Sequence, residues 1–261
     1  MSGSLADELD APIFLLAASW RTGSTLLQRL VTAVDGVLVW GEGSFFHRFA
    51  RIFGAVERHF ADVQWNAEAL TGSTPHTEWI PVLSPSLDDF HGGVRAFMDR
   101  VYGEAARRHG ARRWGVKEVR DGAVAAAHLM HRAYPRAKFV FLVRDPFATL
   151  ASVMRTDFWS RFSGAEEFLA TWTDNARDFR DPAVVGELPC HVLRYEDLIA
   201  EGRGAHPRLT ELFDFLGLPL EPAVFDALEA VVGRTRGTAL SAEDRAVVER
   251  CTDGVRQTYG Y

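Results

Sequence analysis

Five short apolar runs punctuate the chain: PIFLLAA at 12–18, VLVW at 37–40, WGVKE at 114–118, AKFVFLV at 137–143 and CHVLRY at 190–195. Their apolarity is continuous rather than alternating, as in strands covered on both faces. Between them, apolar residues recur at helical spacing and predict helices at about 24–34, 44–60, 88–109, 122–133, 146–156, 165–180, 207–216 and 221–232. That alternation predicts an α/β protein with a central parallel sheet flanked by helices, in which ligands bind beyond the carboxyl ends of the strands. The stretch 63–86 breaks the rhythm. With Pro75, Pro81, Pro85, Trp65 and Trp79 it reads as an irregular insert in one domain spanning 1–261, and such a long loop is either a lid or variable packing.

Composition narrows the class without changing it. A chain of 261 residues, 47% hydrophobic and 25% charged, buries an ordinary globular core, and its net charge of −6 argues against general affinity for nucleic acid. Any anion site must be local. The polar, acidic start MSGSLADELDAP lacks the features of a signal peptide, and no apolar run approaches the roughly 20 residues of a membrane span, so a cytoplasmic protein is expected. Cys190 and Cys251 have neither metal-ligand nor redox spacing and read as reduced structural thiols.

Chemistry enters at AASWRTGSTLL, residues 17–27, between the first predicted strand and the first predicted helix. A strand, a glycine turn and a helix aim free backbone N–H groups and the positive end of a helix dipole at one spot, which suits an anion. The triphosphate-binding version of this loop carries a lysine after its second glycine. Here Ala18 stands at the first glycine position and Ser24 replaces the lysine, while Arg21 supplies the cation. Such a loop fits a smaller phosphate group without a metal, although the same pattern also serves as an ordinary turn. At the end of the fourth predicted strand, Asp145 and Pro146 read as a helix cap and first helical residue. Arg144 and Ser152, eight residues apart, converge there on a place for a second phosphate.

On these residues the chain resembles the sulfotransferases, in particular bacterial ones, that use 3′-phosphoadenosine 5′-phosphosulfate (PAPS). Trp20-Arg21-Thr22-Gly23-Ser24-Thr25 is similar to their first motif, with tryptophan in place of the usual proline; Arg144-Asp145-Pro146 with Ser152 is similar to their second; Tyr195-Glu196-Asp197-Leu198 is a further family segment. The resemblance implies a three-layer, P-loop-like fold and an enzyme moving a sulfuryl group from PAPS to a hydroxyl or amine of a small-molecule acceptor. PAP is the product and no metal is expected. It places Arg21, Thr22, Gly23, Ser24, Thr25 and Leu26 at the 5′-phosphosulfate and Arg144 and Ser152 at the 3′-phosphate. Tyr195 would lie by the adenosine, and Arg234, Arg236 and Gly237 in a basic loop closing over the 3′-phosphate.

Sulfuryl transfer also needs a base beside cations. Glu42, directly after the second predicted strand, is the first choice, and His47, one helical turn further on, the second. Lys117 at the end of the third strand is the additional catalytic cation beside Arg21, with Arg120 less secure. Phe158, Trp159 and Phe162, with Trp65 and Trp79, offer cover for an apolar acceptor or simple packing. His128 and His131 read as a solvated helix face rather than a metal site. Two competing functions are a P-loop kinase, with Asp145 supporting magnesium, and a non-catalytic PAP-binding protein.

Overall fold

The computed structural model describes residues 11–43, 45–68, 85–200, 206–230 and 239–261. Five parallel strands, β1 (Ile13–Ala17), β2 (Val37–Trp40), β3 (Arg113–Glu118), β4 (Lys138–Val143) and β5 (Cys190–Arg194), form one sheet in the order β2-β3-β1-β4-β5. Each falls within a residue or so of its apolar run. The three inner strands are almost wholly buried because helices cover both sheet faces.

The helices are α1 (Ser24–Thr32), α2 (Phe45–Glu68), α3 (Leu87–Met98), α4 (Glu104–Arg108), α5 (Ala123–Ala133) and α6 (Pro146–Val153) in the first part of the chain. There follow α7 (Ala165–Asp178), α8 (Pro182–Val185), α9 (Tyr195–Ile199), α10 (Pro207–Leu216), α11 (Pro222–Glu229) and α12 (Ala242–Thr252). Phe14 and Leu16 of β1 point to one face, joining Phe46, Val94, Met130 and Trp172. Ile13, Leu15 and Ala17 point to the other, joining Leu27, Leu30, Leu212 and Phe213. Period-two side-chain direction thus splits one apolar run between two cores. A smaller cluster, built on Leu150, Val153, Phe168, Leu169 and Val248, ties α6, α7 and α12 together.

Local sequence explains most helix ends. Ser86 and Asp89 form a reciprocal capping box before α3, Asp145 caps α6 ahead of Pro146, and Gly217 closes α10 in the left-handed region. Three expectations need correction. α2 continues through Glu68, so the predicted insert does not begin at Val63; the segment ADVQWNAE contains no glycine or proline to stop the helix. Residues 69–84 of that insert, including Trp79, and the side chain of Trp65 lie outside the described residues. The predicted helix at 88–109 is interrupted by a π-helical turn at Asp99–Gly103, where Gly103 packs against Trp114. Tyr195, expected to end a strand, instead starts α9. Among the described residues no helix is long and apolar enough to cross a membrane.

Candidate active site

The carboxyl ends of β1, β3, β4 and β5 meet around the loop from Ser19 to Gly23. Its backbone is held in two left-handed residues, Gly23 with φ 91° and Arg21 with φ 68°. A non-glycine residue in that region carries strain of about 1 to 3 kcal/mol, which surrounding contacts must offset. Those contacts are present. Arg144 donates Nη1 to the Arg21 carbonyl oxygen at 3.0 Å, and Arg21 donates Nε to Ser152 Oγ at 3.1 Å. The two sequence motifs are therefore bonded to one another. Thr22 is fully buried and donates its hydroxyl to the Ser19 carbonyl, which makes it a brace inside the loop.

Gly23 has no side chain with which to cap α1, so the first-turn N–H groups have no side-chain cap, and the Leu26 N–H donates to the Gly23 carbonyl at 2.9 Å. A Cβ at Gly23 would sit 2.1 Å from Tyr195 Cδ2, so the tyrosine ring occupies the space beside the glycine. The guanidinium of Arg144 lies 4.5 Å from the centre of the same ring. Arg144 is 9% exposed, has no carboxylate partner among the described residues, and leaves Nε without a hydrogen-bond partner. A buried cation whose described support is a carbonyl and an aromatic face has capacity for an anion.

A cavity of about 560 Å³ opens over these groups. Arg21, Gly23, Ser24, Thr25, Leu26, Arg144, Ser152 and Tyr195 line it, together with Glu42 and Arg120. Arg155, Thr156, Phe158 and Arg161, which the sequence reading did not assign to the donor, line it as well. Among the described residues five arginines and one carboxylate line it, and with Arg120 paired to Glu118 the lining still carries an excess of positive charge in an acidic protein. Trp20 forms part of its wall, packed on Phe158 and Phe162 at 5.5 Å, while Trp159 packs inward against Phe168.

Glu42 stands on the rim, in the coil after β2. Lys117 does not line the cavity: it is buried behind Glu42, with Nζ 3.5 Å from Glu42 Oε1. His47 also lies outside this cavity, facing Asp121 at 3.7 Å. Arg234, Arg236 and Gly237 lie outside the described residues.

Several supports were invisible to the sequence patterns. Asn175, 1% exposed, donates Nδ2 to the carbonyls of Ala18 and Arg120 and accepts from the Ala123 N–H, tying the ends of β1 and β3 to the start of α5. Trp172 donates Nε1 to the Arg144 carbonyl at 3.0 Å. Glu196 accepts the Asp145 N–H at 3.0 Å and the Tyr261 hydroxyl at 2.6 Å, giving the Tyr-Glu-Asp segment a bracing role. Burial and the adjacent Glu196 push the Tyr261 hydroxyl well above its ordinary pKa, so it stays a donor. Asp145 accepts from the Phe147 N–H, so its carboxylate is engaged as a helix cap.

Away from this site, His128 and His131 do not form the expected solvated face. His128 bonds the Val184 carbonyl at 2.8 Å, and His131 packs edge-on against Phe139, with burial and then His128 lowering its pKa. Both cysteines are free.

The profile of the sulfotransferase family matches residues 12–222, most of the chain. A search among curated proteins finds no match. Among solved structures, the chain is similar to the sulfotransferase domain from the curacin biosynthetic pathway, at 16% identity and a TM-score of 0.50 over 93% of this chain and 98% of that one. It is also similar to the sulfotransferase domain of the Synechococcus PCC 7002 olefin synthase, at 19% identity and a TM-score of 0.47 over 100% and 99% of the two chains. A third is the sulfotransferase STF9 from Mycobacterium avium, at 12% identity and a TM-score of 0.49 over 98% and 79%. At such identities the likeness is one of fold; the profile match, which covers both Trp20–Thr25 and Arg144–Ser152, carries the assignment, and the chain belongs to the sulfotransferase family.

Proposed function

We propose that this protein transfers the sulfuryl group of PAPS to a hydroxyl or amine of a small-molecule acceptor. The observation that carries the reading is the direct bonding of the two loops, Arg21 to Ser152 and Arg144 to the Arg21 carbonyl, in one arginine-lined cavity with a carboxylate at its rim. The loop at Ser24 and Thr25 holds the 5′-phosphosulfate with backbone N–H groups and hydroxyls, while Arg144 and Ser152 hold the 3′-phosphate. Arg21, fixed by Ser152, neutralises charge between the two.

In the transfer, the acceptor oxygen attacks sulfur, a new O–S bond forms, and the bond from sulfur to the bridging oxygen breaks. PAP leaves with the electron pair, and the acceptor proton passes to Glu42. Arg21 and the α1 terminus stabilise the charge that develops on the leaving oxygen. Lys117 acts from behind, orienting the Glu42 carboxylate. His47 sits in a neighbouring cavity, which favours Glu42 as the base. Engagement of the Asp145 carboxylate as a cap weighs against a kinase site that would need it for magnesium.

The test is a titration of PAP against ADP, each with and without magnesium, followed by transfer of label from PAPS into a cell extract. PAP should bind more tightly without need of metal, and labelled sulfate should appear on an acceptor. Equal affinity for ADP, or a strict magnesium requirement, would instead favour the kinase reading; tight PAP binding without turnover would leave a PAP-binding protein.

A further inference from the structure

Beside the donor cavity lies a second of about 650 Å³, lined by His47, Arg48, Arg51, Ile52, Ala55 and Arg120. Arg120 lines both, so the two cavities are adjacent. Arg48 and Arg51 are three residues apart on α2, on one face and one turn apart. Both are exposed, and neither has a hydrogen bond or ion pair to any described residue. The described carboxylates nearby already face other side chains. Glu57 is taken by Arg132 and His91, Glu118 by Arg120, and Asp121 faces His47. The same stretch of helix leaves Ile52 61% exposed, next to Ala55. Two guanidinium groups without a partner among the described residues and an apolar strip thus share a cavity that adjoins the donor cavity, in a chain whose net charge is −6.

We infer that the acceptor is an amphipathic anion: an apolar body rests on Ile52 and Ala55 while Arg48 and Arg51 hold a carboxylate or phosphate, directing its hydroxyl past Arg120 towards Glu42. This rests on the sulfuryl-transfer reading, since it names the acceptor class for that site. A carboxylate or phosphate ester supplies the same recognition, a planar or tetrahedral anion facing guanidinium donors.

The test uses protein saturated with PAP, which blocks the donor cavity, and three probes of one chain length: hexanol, hexanoate and hexyl phosphate. Calorimetry should give at least tenfold tighter binding of the anions than of hexanol, since one charge-assisted bond changes affinity about tenfold or more. The tighter anion identifies the headgroup. In the double variant Arg48→Ala, Arg51→Ala both anions should weaken at least tenfold while PAP affinity stays unchanged, which also reports that the variant is folded. The inference is overturned if hexanol binds as well as the anions, if neither anion binds, if the double variant keeps its anion affinity, or if it loses PAP affinity with it. Failure of the unaltered protein to bind PAP at all would bring down the donor reading itself.

Discussion

Lys117 Nζ lies 3.5 Å from Glu42 Oε1, and the two side chains face different surroundings: the lysine is 5% exposed and the glutamate 35%. Among the described residues the buried ammonium has the carboxylate as its only ion pair, and the carboxylate on the rim is held from behind by a fixed cation. A proposed base and its support are therefore also a structural unit.

Glu42→Gln should lower turnover by about 10²- to 10⁴-fold, the usual contribution of a general base. It should also cost stability, because it leaves Lys117 buried and unpaired. Breaking a fully buried pair costs about 3 to 5 kcal/mol, and water around Glu42 reduces this to about 1 to 2 kcal/mol. Adding Lys117→Met should restore the melting temperature but not the rate. Steady-state kinetics and thermal melts on the single and double variants check both parts; a fully active glutamine variant would show that Glu42 is not the base.

Arg144→Ala should weaken PAP binding by about tenfold to over a hundredfold, since a charge-assisted bond contributes about 1.5 to 3 kcal/mol. Adenosine 5′-phosphate, lacking the 3′-phosphate, should lose little. Calorimetry with both nucleotides decides the matter, and equal losses would mean that Arg144 acts only by bracing the Arg21 carbonyl.

Gly23→Ala should damage the loop in two separable ways. The left-handed backbone costs about 1 to 2 kcal/mol for any residue with a Cβ, and that Cβ would also overlap the Tyr195 ring, 2.1 Å from Cδ2. Combining it with Tyr195→Ala removes the overlap and not the backbone cost, so the melting temperature should recover in part relative to Gly23→Ala alone. PAP affinity at the level of the unaltered protein in Gly23→Ala would contradict the loop geometry.

Glu57 predicts an acid dependence of stability. Burial raises its pKa, but hydrogen bonds and charge from Arg132 and His91 together outweigh burial and hold it below the ordinary 4.5. A depressed folded pKa means the pair stabilises the protein above that ordinary value, and the contribution disappears as pH falls through the folded one. Urea titrations between about pH 6 and pH 3 should show stability of the unaltered protein falling more steeply than that of Glu57→Gln, which has no such proton to take up. Parallel curves would exclude the coupling.

The sequence by itself determined the five strands and the strand–glycine–helix turn around Gly23, because both are local. Continuous apolar runs such as FVFLV need two covered faces wherever they are placed, and a strand followed by Arg-Thr-Gly-Ser can bind an anion from its own backbone. Likewise Asp145-Pro146 starts its helix through a bond two residues away. Short helices such as α9 escaped detection, since Tyr195 has the bulk and polarity of a strand residue and only its surroundings make it turn. The rest of the site depended on the strand order β2-β3-β1-β4-β5, which brings together residues far apart in the chain. That order put Lys117 behind Glu42, Ser152 against Arg21, Glu196 under the Asp145 N–H, and Asn175 between the ends of two strands. Periodicity reports which face of an element is buried; it carries no information on what charge or donor a neighbour 50 or more residues away will present to it, and tertiary packing alone decides that.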